Sequence, residues 1–387
     1  MLKSLAITNY RSIRELVIPL GPLNLVTGPN GSGKSNLYRA LRLLAEAAEG
    51  GIVASLAREG GLSSTLWAGP ESISRRMRNR EVPIEGTRRK DPVNLCLGFA
   101  SDDFGYAIDL GLPAPSDSMF ARDPEIKHEC IWSGPILRPA SLLVERRAAL
   151  VQVRSSDGKW DRITTNLASF DSLFSRVADP ARAPEVLTLR DEIRTWRFYD
   201  HFRTDADAPA RQPQVGTRTT VLGHDGRDLA AALQTIREIG DGRALDQAVS
   251  DAFPGARLEV LGDAGRFRFH LHQEGLLRSL EAVELSDGTL RYLLWIAALL
   301  TPRPPALMVL NEPETSLHPD LLPALARLIG VAATNTQVWV VCHASRLIAA
   351  LREIPSCMNF ELEKKFGQTQ VSNQQLLEAP PWHWPAR

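Results

Sequence analysis

Apolar and polar positions alternate over residues 2–8 (LKSLAIT), the period of a half-buried strand, and an apolar run at Leu23–Thr27 leads straight into GPNGSGKS. From Asn36 to Ala48, leucines and alanines recur at helical spacing, so the chain opens as strand, glycine-rich loop and helix. Residues from about Arg58 to Asp91 turn polar and include a basic run. Strand-like composition returns at Val93–Phe99, Tyr106–Leu112, Ile126–Ile131 and Leu142–Val153. The short links SDDFG and SSDGKW predict antiparallel hairpins there, because a parallel crossover needs a dozen or more residues. The stretch from about Asn166 to Gly240 reads as helical, broken by the proline-rich segment 205–213, and strands resume at Leu258–Leu261 and Phe267–Leu271. A closing α/β portion follows: a helix after LSDGT, a strand at Ala306–Leu310, a helix from Pro319, a strand at Val338–Cys342 and a helix from Ala344. No heptad run occurs, so no long coiled coil is predicted.

Composition adds little to this pattern but closes some doors. Lys+Arg and Asp+Glu stand at 45 each, so any contact with nucleic acid must come from a local patch and not from a bulk field. The run Arg75, Arg76, Arg78, Arg80, Arg88, Arg89 and Lys90, against Glu81 and Glu85, reads either as such a patch or as a solvated loop. Cys96, Cys130, Cys342 and Cys357 fit neither zinc spacing nor a disulfide framework, which points to a reduced, cytoplasmic protein. The first residues, MLKSLAITNYRSI, carry no apolar signal-peptide core, and Tyr292–Leu300 is too short to span a bilayer, so no membrane partner is expected.

The chemistry begins at Gly28–Ser35, which matches G-x-x-x-x-G-K-[ST]. Backbone N–H groups can wrap around phosphate oxygens only where side chains stand clear, and the following helix turns its positive end toward them. Gly28, Asn30, Gly31, Ser32, Gly33, Lys34, Ser35 and Asn36 are therefore the candidate nucleotide-binding residues. Lys34 is placed to reach the β- and γ-phosphates of ATP, and the Ser35 hydroxyl to ligate Mg2+. A second motif, the apolar strand ALMVL followed by Asn311 and Glu312, suits the metal and the attacking water of a P-loop enzyme. Asn311 stands where an aspartate is expected, so it offers the metal an acceptor without negative charge, and slow turnover is predicted. Glu312 is the candidate general base. Two further features are weaker alone: Ser286 and Gly288 at the start of an apolar helix, and His343 at a strand end.

In this order the four motifs resemble the RecF-like, SMC-related branch of ABC ATPases, and LSDGTLRYL and NEPETSLHP are similar to stand-alone AAA-type ATPases of that branch. The resemblance implies an α/β fold, a P-loop NTPase of ABC type with a mixed sheet, an antiparallel β part and an inserted helical lobe. It also implies that Ser286 and Gly288 of one copy cap the ATP held by another, that EPETSLHP runs along that dimer interface, and that His343 is a catalytic switch. Asn9 and Arg11 would lie near the nucleotide. The corresponding boundaries are 1–160 for the first part of the ATPase head, 161–255 for a mainly helical lobe and 256–387 for the rest of the head. A homodimer closed by ATP is the expected partner state, with DNA and a separate effector protein such as a nuclease as candidate partners. The implied function is ATP hydrolysis in DNA repair or mobile-element defence; the alternative is a nucleotide sensor that controls an effector. No Q-loop glutamine can be placed in the first hundred residues, and no Asp-x-Asp follows His343, so a nuclease in the same chain is not expected.

Overall fold

The computed structural model describes residues 1–71, 74–79, 81–83, 93–372 and 379–385. Its strands in chain order are β1 (Leu2–Tyr10), β2 (Ile13–Pro19), β3 (Leu23–Thr27), β4 (Leu95–Ser101), β5 (Phe104–Gly111), β6 (Glu125–Ser133), β7 (Leu142–Arg147), β8 (Leu150–Arg154) and β9 (Trp160–Thr164). They continue as β10 (Arg197–Tyr199), β11 (Gln214–Val215), β12 (Arg257–Asp263), β13 (Arg266–His272), β14 (Leu280–Glu281), β15 (Leu307–Asn311), β16 (Gln337–Val341), β17 (Cys357–Lys365) and β18 (Gln368–Val371). The chain divides into two units: Met1–Gly21 with Gly28–Thr195 and Phe360–Arg387, and Pro22–Thr27 with Trp196–Asn359.

The first unit is built on a sheet ordered β2-β1-β4-β5-β6-β7-β8-β9, antiparallel throughout. The expected hairpins are therefore present, and the single segment Leu142–Val153 is two strands joined by a tight turn with Ala148 at φ 51°. Glu129 and Arg146 form an ion pair at 2.9 Å with neither side chain exposed. Burying two charges costs several kcal/mol each unless every lone pair is used, and here most are. Glu129 accepts from Tyr106 Oη, Ser172 Oγ and the Leu173 N–H, while Arg146 donates to the carbonyls of Ala148, Ala168 and Asp171. The pair thereby fastens the 168–173 loop to the sheet. At the C-terminal end Trp382 packs edge-on against Trp132, ring centroids 5.7 Å apart. Gly98 leaves it room, since a β-carbon there would come within 2.6 Å of the Trp382 ring. The Pro-Pro-Trp-His-Trp-Pro segment thus packs on its own unit.

The second unit holds a parallel sheet ordered β10-β15-β16-β3. LNLVT and QVWVV are buried at every position and LMVLN at four of its five, the unbroken apolar pattern of strands covered on both faces. The helices Leu229–Ile239, Gly242–Ala252, Asp287–Leu299 and Leu322–Ala332 share one apolar core with these strands. A smaller antiparallel group, β11-β13-β12 with β14 on β13, completes the unit.

One boundary differs from expectation. The segment 161–255 is not a single helical lobe, because the chain changes unit between Thr195 and Trp196. Immediately after the helix Pro184–Thr195, β10 pairs in parallel with β15, Arg197 opposite Met308 and Tyr199 opposite Leu310. Three residues leave no periodicity to read, yet their ladder opens the second unit, which holds the chain from Trp196 to Asn359. Of the basic run, Arg75 and Arg76 are exposed, with Arg76 3.6 Å from Glu81, while Arg80 and residues 84–92 lie outside the described residues.

Candidate functional site

The P-loop leaves β3 at Thr27 and turns through three glycines with positive φ: Gly28 at 139°, Gly31 at 78° and Gly33 at 112°. Two of them are required by space as well as by angle. A β-carbon on Gly28 would stand 2.3 Å from the Leu362 carbonyl oxygen, and one on Gly33 2.1 Å from Thr369 Oγ1. Thr369 is fully buried on β18 and donates to the Ser32 carbonyl at 2.8 Å. Its hydroxyl also meets Ser12 Oγ at 2.6 Å, and Ser12 Oγ accepts from Asn36 Nδ2 at 2.7 Å. Asn36, expected beside the nucleotide, therefore has its amide engaged in a strut beneath the loop. Gly33→Ala is expected to cost about 2–4 kcal/mol of stability, from strain and overpacking together. Scanning calorimetry would read this as a lower thermal midpoint; an unchanged midpoint would mean that the loop does not rest on Thr369.

Lys34 opens the helix Lys34–Glu49 and arches back over the loop. Its Nζ donates to the carbonyls of Gly28 at 2.7 Å and Pro29 at 2.9 Å. Ser35, Asn30 and Gly31 are exposed. Ser32 is buried, and among the described residues its Oγ has no hydrogen-bond partner. Asn9 and Arg11, read as neighbours of the nucleotide, are both held within the first unit. Asn9 donates to the Asn94 carbonyl, and Arg11 pairs with Glu59 at 2.7 Å. Tyr10 donates to the same carboxylate, and burial together with that carboxylate pushes its phenol well above the ordinary range.

In the second unit the carboxyl ends of three parallel strands lie side by side. Asn311 at the end of β15 is opposite Val341 on β16, and Val341 is opposite Val26 on β3, one residue before Thr27. Glu312 follows in a left-handed conformation, φ 50°, which costs a non-glycine residue about 1–3 kcal/mol. A hydrogen bond from its N–H to the Val341 carbonyl, 2.7 Å, holds it there. The strained corner carries the Glu312 carboxylate to 3.2 Å from His343 Nε2, so the structure brings together the two residues expected to be catalytic. Glu314, which the sequence reading did not single out, accepts from the backbone N–H groups of His343 at 2.5 Å and Ala344 at 3.1 Å.

Ser286 caps the helix Asp287–Leu299, its hydroxyl accepting from the Thr289 N–H at 3.2 Å, and both Ser286 and Asp287 are exposed. Gly288 closes against the Ser316 carbonyl, where a β-carbon would meet it at 2.9 Å. Arg291, one turn further on, is almost wholly buried, and burial pushes its guanidinium below the ordinary value.

Residues 23–347 match the protein family described as "AAA domain, putative AbiEii toxin, Type IV TA system", a span well over half of the chain. The chain belongs to this AAA-domain family. The AAA-domain chain is also similar to the OLD nuclease of Thermus scotoductus, 46% identical over 44 residues, 11% of this chain and 8% of that protein. A second relative is the DNA replication and repair protein RecF of Magnetococcus marinus, 53% identical over 45 residues, 11% of this chain and 12% of that one. The matches thus span only about a tenth of the curated relatives' length. Among solved structures, an SMC head bound to the C-winged helix domain of ScpA aligns over 98% of each chain with a TM-score of 0.50 and 13% identity, a likeness of fold. The AAA-domain protein therefore has the mixed α/β fold of an ABC-type P-loop ATPase head, and its likeness to RecF is confined to a short stretch of sequence. The class is that of ATPases, and a triphosphate suits the loop: three glycines at positive φ, an ammonium on the Gly28 and Pro29 carbonyls and a buried Ser32 hydroxyl without a partner among the described residues. Among the described residues, no helix is long and apolar enough to cross a membrane.

Proposed function

We propose that this chain is an ATP-hydrolysing switch that closes as a homodimer around ATP and acts on DNA. One observation carries the reading. Asn311, Glu312 and His343 follow the carboxyl ends of strands that neighbour β3, and β3 runs without a break into the P-loop. Ligands of open α/β sheets bind at that edge. In the proposed cycle, backbone amides of Gly31–Lys34 and the Lys34 ammonium hold the β- and γ-phosphates. The Glu312 carboxylate takes a proton from the attacking water, and His343 fixes that carboxylate and faces the γ-phosphate.

The Mg2+ ligands in this reading are the Ser35 hydroxyl, the Asn311 carboxamide oxygen and phosphate oxygens. When bound, the ion would supply charge neutralisation on the phosphates. The Ser286–Gly288 turn, exposed at Ser286 and Asp287 and with a helix N-terminus behind it, suits a phosphate held by a second copy. DNA as the object of the work is supported by the names of the relatives, a repair protein and a nuclease. The test is light scattering with and without Mg-ATP. ATP-dependent doubling of mass supports the switch, and equal dimer content without nucleotide overturns it.

Asn311 favours a second reading, a sensor with little turnover that governs a separate effector. The carboxamide lacks the charge that an aspartate would offer, so Asn311→Asp is expected to lower the Mg2+ concentration for half-maximal ATP hydrolysis by about tenfold. Phosphate release titrated with Mg2+ checks this. An unchanged half-saturation would place the metal away from residue 311.

A further inference from the structure

Two buried arginines hold the signature turn at Ser286–Gly288 and its helix, and one of them, Arg291, also grips the corner at Thr315–Ser316. Arg291 lies on the signature helix with 4% of its surface exposed. One arm of its guanidinium donates to the Thr315 carbonyl at 2.9 Å and Ser316 Oγ at 3.2 Å. The other donates to the Phe202 carbonyl at 2.8 Å and Thr204 Oγ1 at 3.4 Å. Arg211 grips the same neighbourhood from the other side. It donates to the carbonyls of Ala282 and Leu285, each at 2.8 Å, to Asp287 Oδ1 at 2.9 Å and to the Thr204 carbonyl at 2.8 Å. Ser316 sits at φ 62°, and its carbonyl fills the space that Gly288 leaves.

A guanidinium buried mainly among carbonyls, with its Nε unpartnered among the described residues, is an expensive way to fill a core. What it supplies is a rigid plane of donors that fixes several oxygens relative to one another. The corner it grips begins one residue after Glu314, whose carboxylate holds the backbone of His343. The Glu314 carboxylate on the His343 N–H, the two residues of chain from Glu314 to Ser316, and the Arg291 guanidinium on Thr315 and Ser316 thus lead from the Glu312–His343 pair to the signature turn.

We infer that Arg291 is a positioning residue that transmits the placement of the His343 backbone to the Ser286–Gly288 turn. This rests on the reading above, in which that turn is the face offered to a second copy. Each protomer's own hydrolytic pair would then set the face with which it closes its partner's site. Of the linking groups Arg291 is buried and its planar donor fork is rigid, while Glu314 is half-buried and Thr315 and Ser316 are exposed, so the guanidinium is the part that fixes the corner to the helix.

The test uses amide hydrogen exchange on the full chain without nucleotide, so its outcome does not depend on dimerisation or turnover. In the wild-type background, Glu314→Ala, which removes the carboxylate from the His343 and Ala344 N–H groups, should speed exchange at Asp287–Leu290 by about tenfold, the opening expected when about one hydrogen bond's net worth of restraint is lost. With Arg291→Met also present, adding Glu314→Ala should leave that segment unmoved. A role confined to core packing predicts instead that Arg291→Met loosens the helix while the response to Glu314→Ala persists, and that result overturns the inference. So does a signature turn that ignores Glu314→Ala from the start. Should Arg291→Met fail to fold, Arg291→Lys and Ser316→Ala each remove part of the link and are expected to halve the response or better. If Mg-ATP then fails to dimerise the protein while the exchange coupling holds, the dimer switch falls and the role of Arg291 stands.

Discussion

Glu312→Gln is expected to lower ATP hydrolysis by about 100- to 1,000-fold while leaving ATP binding intact, the range seen when a positioned general base is lost. The geometry supports so selective an effect. Glutamine has the shape of glutamate and keeps an oxygen to face His343, 3.2 Å away, but it takes no proton from water. The left-handed corner at residue 312 is held by its backbone N–H on the Val341 carbonyl, which the substitution does not touch. On the proposed cycle the variant should accumulate as an ATP-bound dimer. Phosphate release and light scattering on one preparation check both parts. A variant that hydrolyses ATP like the wild type would remove Glu312 from the chemistry.

Lys34→Ala is expected to weaken ATP binding by about a hundredfold and to reduce hydrolysis to background, since charge-assisted hydrogen bonds to phosphate contribute about 1.5–3 kcal/mol each. The ammonium is almost entirely shielded from solvent and now rests on the carbonyls of Gly28 and Pro29, with the glycine cradle below it. Exchanging those neutral acceptors for phosphate oxygens is where its charge counts. The loop itself should survive, because Thr369 and the packing under Gly28 and Gly33 support it from beneath. Calorimetric titration with Mg-ATP, paired with a thermal melt, separates lost binding from lost fold. Undiminished affinity would mean that the triphosphate is not held between residues 28 and 35.

Features that depend on a short stretch of chain were legible in advance. The P-loop was one, because its backbone angles must be encoded by glycines at fixed offsets, and φ values of 139°, 78° and 112° at Gly28, Gly31 and Gly33 are those angles. The parallel core strands were another, since burial on both faces demands an unbroken apolar run such as QVWVV. The antiparallel hairpins of the first unit followed from links too short for a crossover. The meeting of Glu312 with His343 was reached through a resemblance in motif order, and the ladder of β15 on β16 is its physical cause.

What no local pattern carried was the work done by residues distant in sequence. β10 is three residues that acquire meaning only against β15. Thr369 stands 337 positions from the Ser32 carbonyl it supports, and it is Thr369 that claims the space at Gly33. Asn36 reads as a ligand of nucleotide, yet its amide is spent on Ser12. Glu314, Arg211 and Arg291 look like ordinary polar residues in a line of text. A hydrogen bond between distant side chains imposes no periodicity on either segment, so its existence is settled only when the chain closes on itself. The sequence by itself determined which loop takes the backbone angles of a phosphate cradle and which strands form the core; tertiary structure alone decided what holds that loop and the signature turn in place.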